Sequence, residues 1–138
     1  MDEKRWIMME FNMLFEELTA SPETVRLSDL YTYDEFKDES EALYDFSDDS
    51  DYEKEFTVHE MPPQSASKLQ TFRNDTTVMD AYRRFARKEQ KDIVKQKMRL
   101  YDKDRVVIVA GTTLLDGYHH VVASVLLGKP IKYINLHS

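Results

Sequence analysis

The segment that most restricts how this chain can fold is Arg105-Val-Val-Ile-Val-Ala110, an unbroken β-branched run with ordered punctuation after it. A run this short cannot stand alone as a helix and suits a strand buried on both faces. Gly111-Thr112 supplies a turn and Thr113-Leu-Leu115 returns as a second strand, so a hairpin is expected. Asp116-Gly117 ends that strand sharply. From Tyr118 onward Val121 with Val125, and Val122 with Leu126, stack at i,i+4, the spacing of one helix face. Gly128 suits the left-handed residue that closes a helix and Pro130 bars its continuation, so Ile131-Lys-Tyr-Ile-Asn-Leu136 reads as a closing strand. The expected class is α+β, a short mixed sheet packed by helices.

Upstream the pattern is looser. At 138 residues the chain suits one domain, and the absence of cysteine excludes disulfides, thiolate zinc sites and cysteine nucleophiles. Ile7, Phe11, Leu14, Phe15 and Leu18 fall near helical spacing, which predicts an N-terminal helix within residues 1–20 ahead of a domain at 24–138. Its apolar arc is wide enough to pack on its own core or on a second copy, as a homo-oligomer contact. Glu10, Asn12, Glu16 and Glu17 interrupt the apolar stretch, so neither a secretory segment nor a membrane span is expected, and a cytoplasmic location follows by default. Ala20-Ser-Pro-Glu23 breaks the helix, Thr24-Val-Arg-Leu27 alternates like a short strand, and Ser28-Asp-Leu30 begins a turn or capped helical turn. Met61-Pro-Pro-Gln-Ser-Ala-Ser67 reads as a linker. Asp75, Thr76 or Thr77 can cap a helix in which Met79, Tyr82, Phe85 and Ala86 share a face.

Charge is unevenly distributed. The net charge of −7 opposes a role as a non-specific nucleic-acid coat. Between Asp34 and Glu60 twelve acidic residues face two basic ones, whereas between Thr71 and Arg105 eleven basic residues face six acidic ones. The acidic stretch, at about 34–60, fits a solvated insertion. It also fits a strip in which Asp45, Asp48, Asp49 and Asp51, interspersed with Tyr44, Phe46, Tyr52 and Phe56, imitate nucleic acid or dock on a basic protein. The basic run fits the wet side of a helix, and equally a DNA contact or a shield for the acidic stretch.

The chemistry concentrates at the Asp-Gly bend. A glycine at a strand-to-helix junction lets backbone N–H groups approach an anion, and the helix start adds partial positive charge; phosphate is the natural guest. Asp116 can hold the bend by accepting backbone N–H groups, while His119 and His120 can donate to the anion. A capped turn carrying two surface histidines gives the same pattern. Adjacent histidines project about 100° apart on a helix and share one ion poorly, and His59 and His137 lack ligand spacing, so no metal site is expected.

The string from Leu114 to Leu136 resembles the D-G-x-H-R-x-x-A-A stretch of ParB/sulfiredoxin-like proteins, and Thr24-Val-Arg-Leu-Ser-Asp-Leu30 resembles the first strand and V-x-L-S-D-L entry of such domains. The likeness is good over about the last thirty residues and thin between Asp34 and Asp92, and it implies a phosphate-binding unit from about Lys91 to Leu136. It implies a small ParB/sulfiredoxin-like domain that binds phosphate of a nucleotide or DNA at Asp116, Gly117, Tyr118, His119 and His120. The motif's usual arginine falls at His120, which lacks the bidentate fork and is only partly charged at neutral pH. Sulfiredoxin chemistry is excluded, since its cysteine is missing. Members that act as kinases carry an acidic residue shortly after the first strand, which implies catalytic roles for Asp34 or Glu35 beside His120, with ATP or another nucleotide and Mg²⁺. The resemblance allows phosphoryl transfer, ATPase or nuclease activity. The alternative is a catalytically reduced acidic interaction protein, of the kind a mobile element encodes as a DNA mimic or inhibitor.

Overall fold

The computed structural model describes residues 23–38, 48–72 and 75–137; the helix expected at Trp6–Leu18 lies outside them. In chain order the elements are β1 (Thr24–Val25), α1 (Leu27–Leu30), α2 (Tyr33–Asp38), a 3-10 turn (Asp49–Asp51), β2 (Phe56–Thr57), β3 (His59–Met61) and α3 (Pro63–Ala66). There follow β4 (Gln70–Thr71), α4 (Val78–Phe85), α5 (Lys88–Arg99), β5 (Val106–Ala110), β6 (Thr113–Asp116), α6 (Tyr118–Leu127) and β7 (Ile131–Asn135).

Five strands form a mixed sheet in the order β3-β7-β5-β6-β4, and β1 pairs with β2 in a separate ribbon. The β-branched run is the central strand: β5 lies antiparallel to β6 and parallel to β7, with Val106 opposite Lys132 and Val109 opposite Asn135. Its side chains alternate, as the period of two requires. Val107 and Val109 enter one core with Val121, Val122 and Ala123 of α6, Val94 of α5, and Val78 and Met79 of α4. Ile108 and Ala110 enter the opposite core with Leu27, Phe36, Phe56 and Leu115. A central strand buried on both faces has no room for polar residues, which is why the run is continuous rather than alternating. Gly128 takes the expected left-handed φ of 68° and closes α6.

Three stretches differ from the sequence expectation. The acidic stretch is not wholly a solvated insertion: Phe36 and Phe56 are each 2% exposed, and Tyr52 packs against the same core. The second face of the sheet needs a cover, and these aromatics supply it while Asp48, Asp49, Glu53 and Glu55 stay in water. Residues 61–67 are not a bare linker, because Pro63 starts the short helix α3, where its missing N–H costs nothing, and Ala66 is fully buried. In α4 the cap falls at Thr77, whose side chain accepts from Asp80 N at 3.2 Å, but the buried residues are Val78, Met79 and Ala81, and Phe85 is 60% exposed. Eight residues sample barely two helical turns, too few for spacing to settle which face turns inward. The basic run forms α5, in which Val94 is the buried residue. No described helix is long and apolar enough to cross a membrane.

Candidate functional site

The bend after β6 is shaped by the sheet. Pairing between β5 and β6 shifts register between Ile108 and Val109, leaving Leu115 as an extra residue and setting Asp116 opposite Ile108. Such a bulge turns the strand locally and re-aims its last side chain. Gly117 follows at φ 103°, and a Cβ there would lie 2.5 Å from Val107 Cγ1. Packing against β5 and the positive φ therefore demand glycine here whether or not an anion binds. Gly117 is also the N-cap of α6 and has no side chain to take up the free N–H groups of the first turn. Those groups and the helix dipole leave partial positive charge at this point.

A cavity of about 240 Å³ opens at the bend, lined by Lys97, Arg105, Leu115, Asp116, Gly117, Tyr118, His119 and His120. It is smaller than the roughly 300–1,000 Å³ of sites that engulf a drug-sized ligand, so it suits a phosphate-sized group rather than a whole nucleotide. Among the described residues two buried side-chain nitrogens lack a hydrogen-bond partner, Arg105 Nε and His119 Nε2, and both residues line this cavity. An unpaired buried donor such as Arg105 Nε costs about 1–3 kcal/mol, which a ligand oxygen would recover; His119 Nε2 donates likewise in the tautomer that carries its proton. Two cations, Lys97 and Arg105, face one carboxylate, Asp116, on the wall.

His120 is only 3% exposed. Its ring stacks on Tyr101 with centroids 5.1 Å apart and planes at 13°, and Ser124 ties the two together. Ser124 Oγ donates to the His120 carbonyl at 2.7 Å, which uses its one proton, so Tyr101 is the donor in its 2.8 Å contact with Ser124. Burial, then Arg105 and Lys97, push the His120 imidazole down to about 4 against a small opposing pull from Asp102. Burial and Lys97 also lower His119. Near pH 7 both rings are neutral, each with one donor and one acceptor nitrogen, and Lys97, Arg105 and the helix start carry the positive charge. Burial raises the phenol of Tyr118, whose ring meets that of His119 edge-on at 5.3 Å.

Asp116 does not hold the bend through backbone N–H groups, contrary to the expectation from sequence; its described partners are side chains. Oδ2 accepts from the Tyr31 hydroxyl and lies 3.4 Å from Arg105 Nη2. Burial first, then Asp116, raise the Tyr31 pKa well above that of a free phenol, so the hydroxyl keeps its proton. Asp34 is exposed and does not line the cavity. Glu35 caps α2: Oε1 accepts from Thr32 N at 3.2 Å while Thr32 Oγ1 accepts from Glu35 N at 3.2 Å. Its charge reaches the site only as a minor influence on Tyr31. Of the four acidic partner candidates, Asp45 lies outside the described residues and Asp49 is exposed. Asp48 and Asp51 cap the 3-10 turn reciprocally, through Ser50 N to Asp48 Oδ1 at 2.8 Å and Asp48 N to Asp51 Oδ2 at 3.0 Å.

The bend and its histidines are thus legible in the sequence, whereas Lys97, Tyr101, Arg105, Ser124 and Tyr31 join the site only through the fold. Lys97 carried a usable signal, since it stands three residues after Val94, the buried position of α5, and so turns toward the domain. Among the described residues no group of three or more His, Asp or Glu side chains is placed to hold a metal ion. No family model, curated protein or solved structure matches the chain.

Proposed function

We propose that this chain is a phosphate-binding protein of the ParB/sulfiredoxin-like kind, taking a phosphate group of a nucleotide or nucleic acid at the start of α6. One observation carries the reading: the two buried nitrogens without a partner, Arg105 Nε and His119 Nε2, converge with Lys97 and an uncapped helix start on one phosphate-sized cavity. The order β5, β6, bend, α6, β7 is that of the D-G-x-H-R resemblance. The neutral His120 departs from the motif's arginine, and the cavity's cations come instead from Lys97 and Arg105. The basic-protein partner reading draws on less, because Asp48 and Asp51 are engaged in their own turn and Phe56 is core.

Thermal unfolding with inorganic phosphate, ATP, CTP and a short DNA duplex, each with and without Mg²⁺, tests this. A ligand at a hundred times its dissociation constant adds about 2.7 kcal/mol of stability, a readily measured rise in Tm. Lys97→Gln and Arg105→Gln should abolish the rise, while Asp34→Asn and Glu35→Gln should keep it. No rise with any of the four at millimolar concentration would sink the proposal.

A further inference from the structure

A carboxylate beside an arginine usually takes it through two parallel hydrogen bonds. Asp116 does not. Its Oδ2 accepts from the Tyr31 hydroxyl, its contact with Arg105 is a single one of 3.4 Å to Nη2, and Arg105 Nε is left buried without a partner on the cavity wall. Tyr31 comes from 85 positions upstream and is held by its own backbone. It is the C-cap of α1, its N–H donates to the Leu27 carbonyl at 2.9 Å, and its carbonyl accepts from the Tyr52 hydroxyl at 2.7 Å. Leu27 and Tyr52 belong to the core on the far face of the sheet from α6. The phenol is thus a strut, anchored in that core, whose tip fixes the carboxylate.

We propose that Tyr31 is a positioning residue for the anion site: by occupying Asp116 it stops the carboxylate from closing on Arg105, leaving the buried Nε without an internal partner and so available to a phosphate oxyanion that enters the cavity. Without the hydroxyl, Asp116 regains an unsatisfied lone pair at a partly buried position, and its other described partner is Arg105 at 3.4 Å. The carboxylate then pairs with the guanidinium fork, and the two donors that would recognise phosphate are taken internally. The ligand class is a tetrahedral phosphate, free or as the terminal group of a larger molecule. That part rests on the proposed function, whereas the hold of Tyr31 on Asp116 stands apart from it.

The test follows the Arg105 Nε–Hε resonance of the ¹⁵N-labelled full chain, assigned by its loss in Arg105→Lys, during titration with inorganic phosphate. Wild type, Tyr31→Phe and Tyr31→Phe/Asp116→Asn are compared, and backbone amide resonances in the same spectra report folding. In wild type, phosphate should move the Nε–Hε signal. Tyr31→Phe should show the signal already displaced before phosphate is added, with binding about tenfold weaker, the scale of one lost charge-assisted contact. The double variant, whose amide cannot neutralise Arg105, should return the signal and bind phosphate at least as well as wild type. An unmoved Nε–Hε signal and unchanged affinity in Tyr31→Phe would overturn the inference. So would weakened binding that Asp116→Asn does not restore, since the loss would then be a packing defect. A wild-type signal indifferent to phosphate but displaced by Tyr31→Phe supports the strut and overturns the phosphate reading alone.

Discussion

Acid should unfold this protein partly through one side chain. His120 titrates at about 4 in the folded chain against an ordinary value of 6.5, because it is buried against Tyr101 and sits near Arg105 and Lys97. The folded state thus disfavours the imidazolium, while the unfolded chain accepts the proton freely. As pH falls below 6.5 the unfolded state takes up the proton first, and stability drops until the folded state follows near pH 4. The stabilisation is present above pH 6.5 and lost across that window. At 1.36 kcal/mol per unit the full loss is about 3 kcal/mol, with about 2 kcal/mol gone by pH 5. That is a large share of the roughly 5–15 kcal/mol that holds a domain of this kind together. His120→Phe keeps a flat ring over Tyr101 and cannot titrate. Urea unfolding of both proteins at pH 7, 6 and 5 gives the comparison, since carboxylates and His119 contribute to both alike. Wild type should lose about 2 kcal/mol more than the variant between pH 7 and 5. Parallel decline of the two would show that His120 is not held neutral by its surroundings, and the electrostatic account of the cavity would fail with it.

Three other outcomes follow from the same geometry. Gly117→Ala meets both a positive φ and Val107 Cγ1 at 2.5 Å, and should cost about 2–5 kcal/mol in urea unfolding. Gly128→Ala, also at positive φ but with nothing within 4 Å, should cost only about 1–2 kcal/mol, and equal losses would refute the packing role of Gly117. Phe36→Ala should cost about 3–5 kcal/mol because the acidic stretch supplies core, and a loss under about 1 kcal/mol would return that stretch to a solvated insertion. Sulfate, which does not titrate in this range, should bind more tightly as pH falls from 7.5 to 5.5. The anion raises the depressed pKa values of His119 and His120, so binding takes up protons, and calorimetry in buffers of different ionisation enthalpy measures that uptake.

What the sequence reveals here tracks how local each feature is. The hairpin, the bend, α6 and β7 are each set by residues within a few positions of one another, and they occur where Val106 to Asn135 place them. The β5–β6 bulge had no such signature, because it depends on how the two strands pair, and without it Asp116 would not stand opposite Ile108. Half of the site was equally local, since Asp116 to His120 are contiguous. The other half is assembled across the chain: Lys97 from α5, Arg105 from the entry to β5, Tyr31 from the end of α1. Arg105 stands directly ahead of a buried apolar run, yet only the fold brings it to the cavity. Tyr31 had no local signal at all. The acids misled because their density suggested solvation, whereas Phe36 and Phe56 between them obey the pattern of core residues.

The protonation states also bear on whether this site binds or reacts. A general base must lie within hydrogen-bonding reach of the proton it removes and titrate near the working pH. Asp116, the carboxylate on the cavity wall, already accepts from Tyr31 and neighbours Arg105. His120 reaches the cavity but at about 4 is too weak a base for efficient proton removal at neutral pH, and its ring is fixed on Tyr101. Asp34 is exposed outside the wall, and Glu35 is engaged in the α2 cap. Lys97, Arg105 and the start of α6 remain, groups that attract and orient an oxyanion without moving a proton. On the proposed reading, such a site holds phosphate rather than transferring it. Raising the His120 pKa toward 6.5, as removal of the Lys97 charge should do, would increase its basicity at the expense of the charge that draws the anion in.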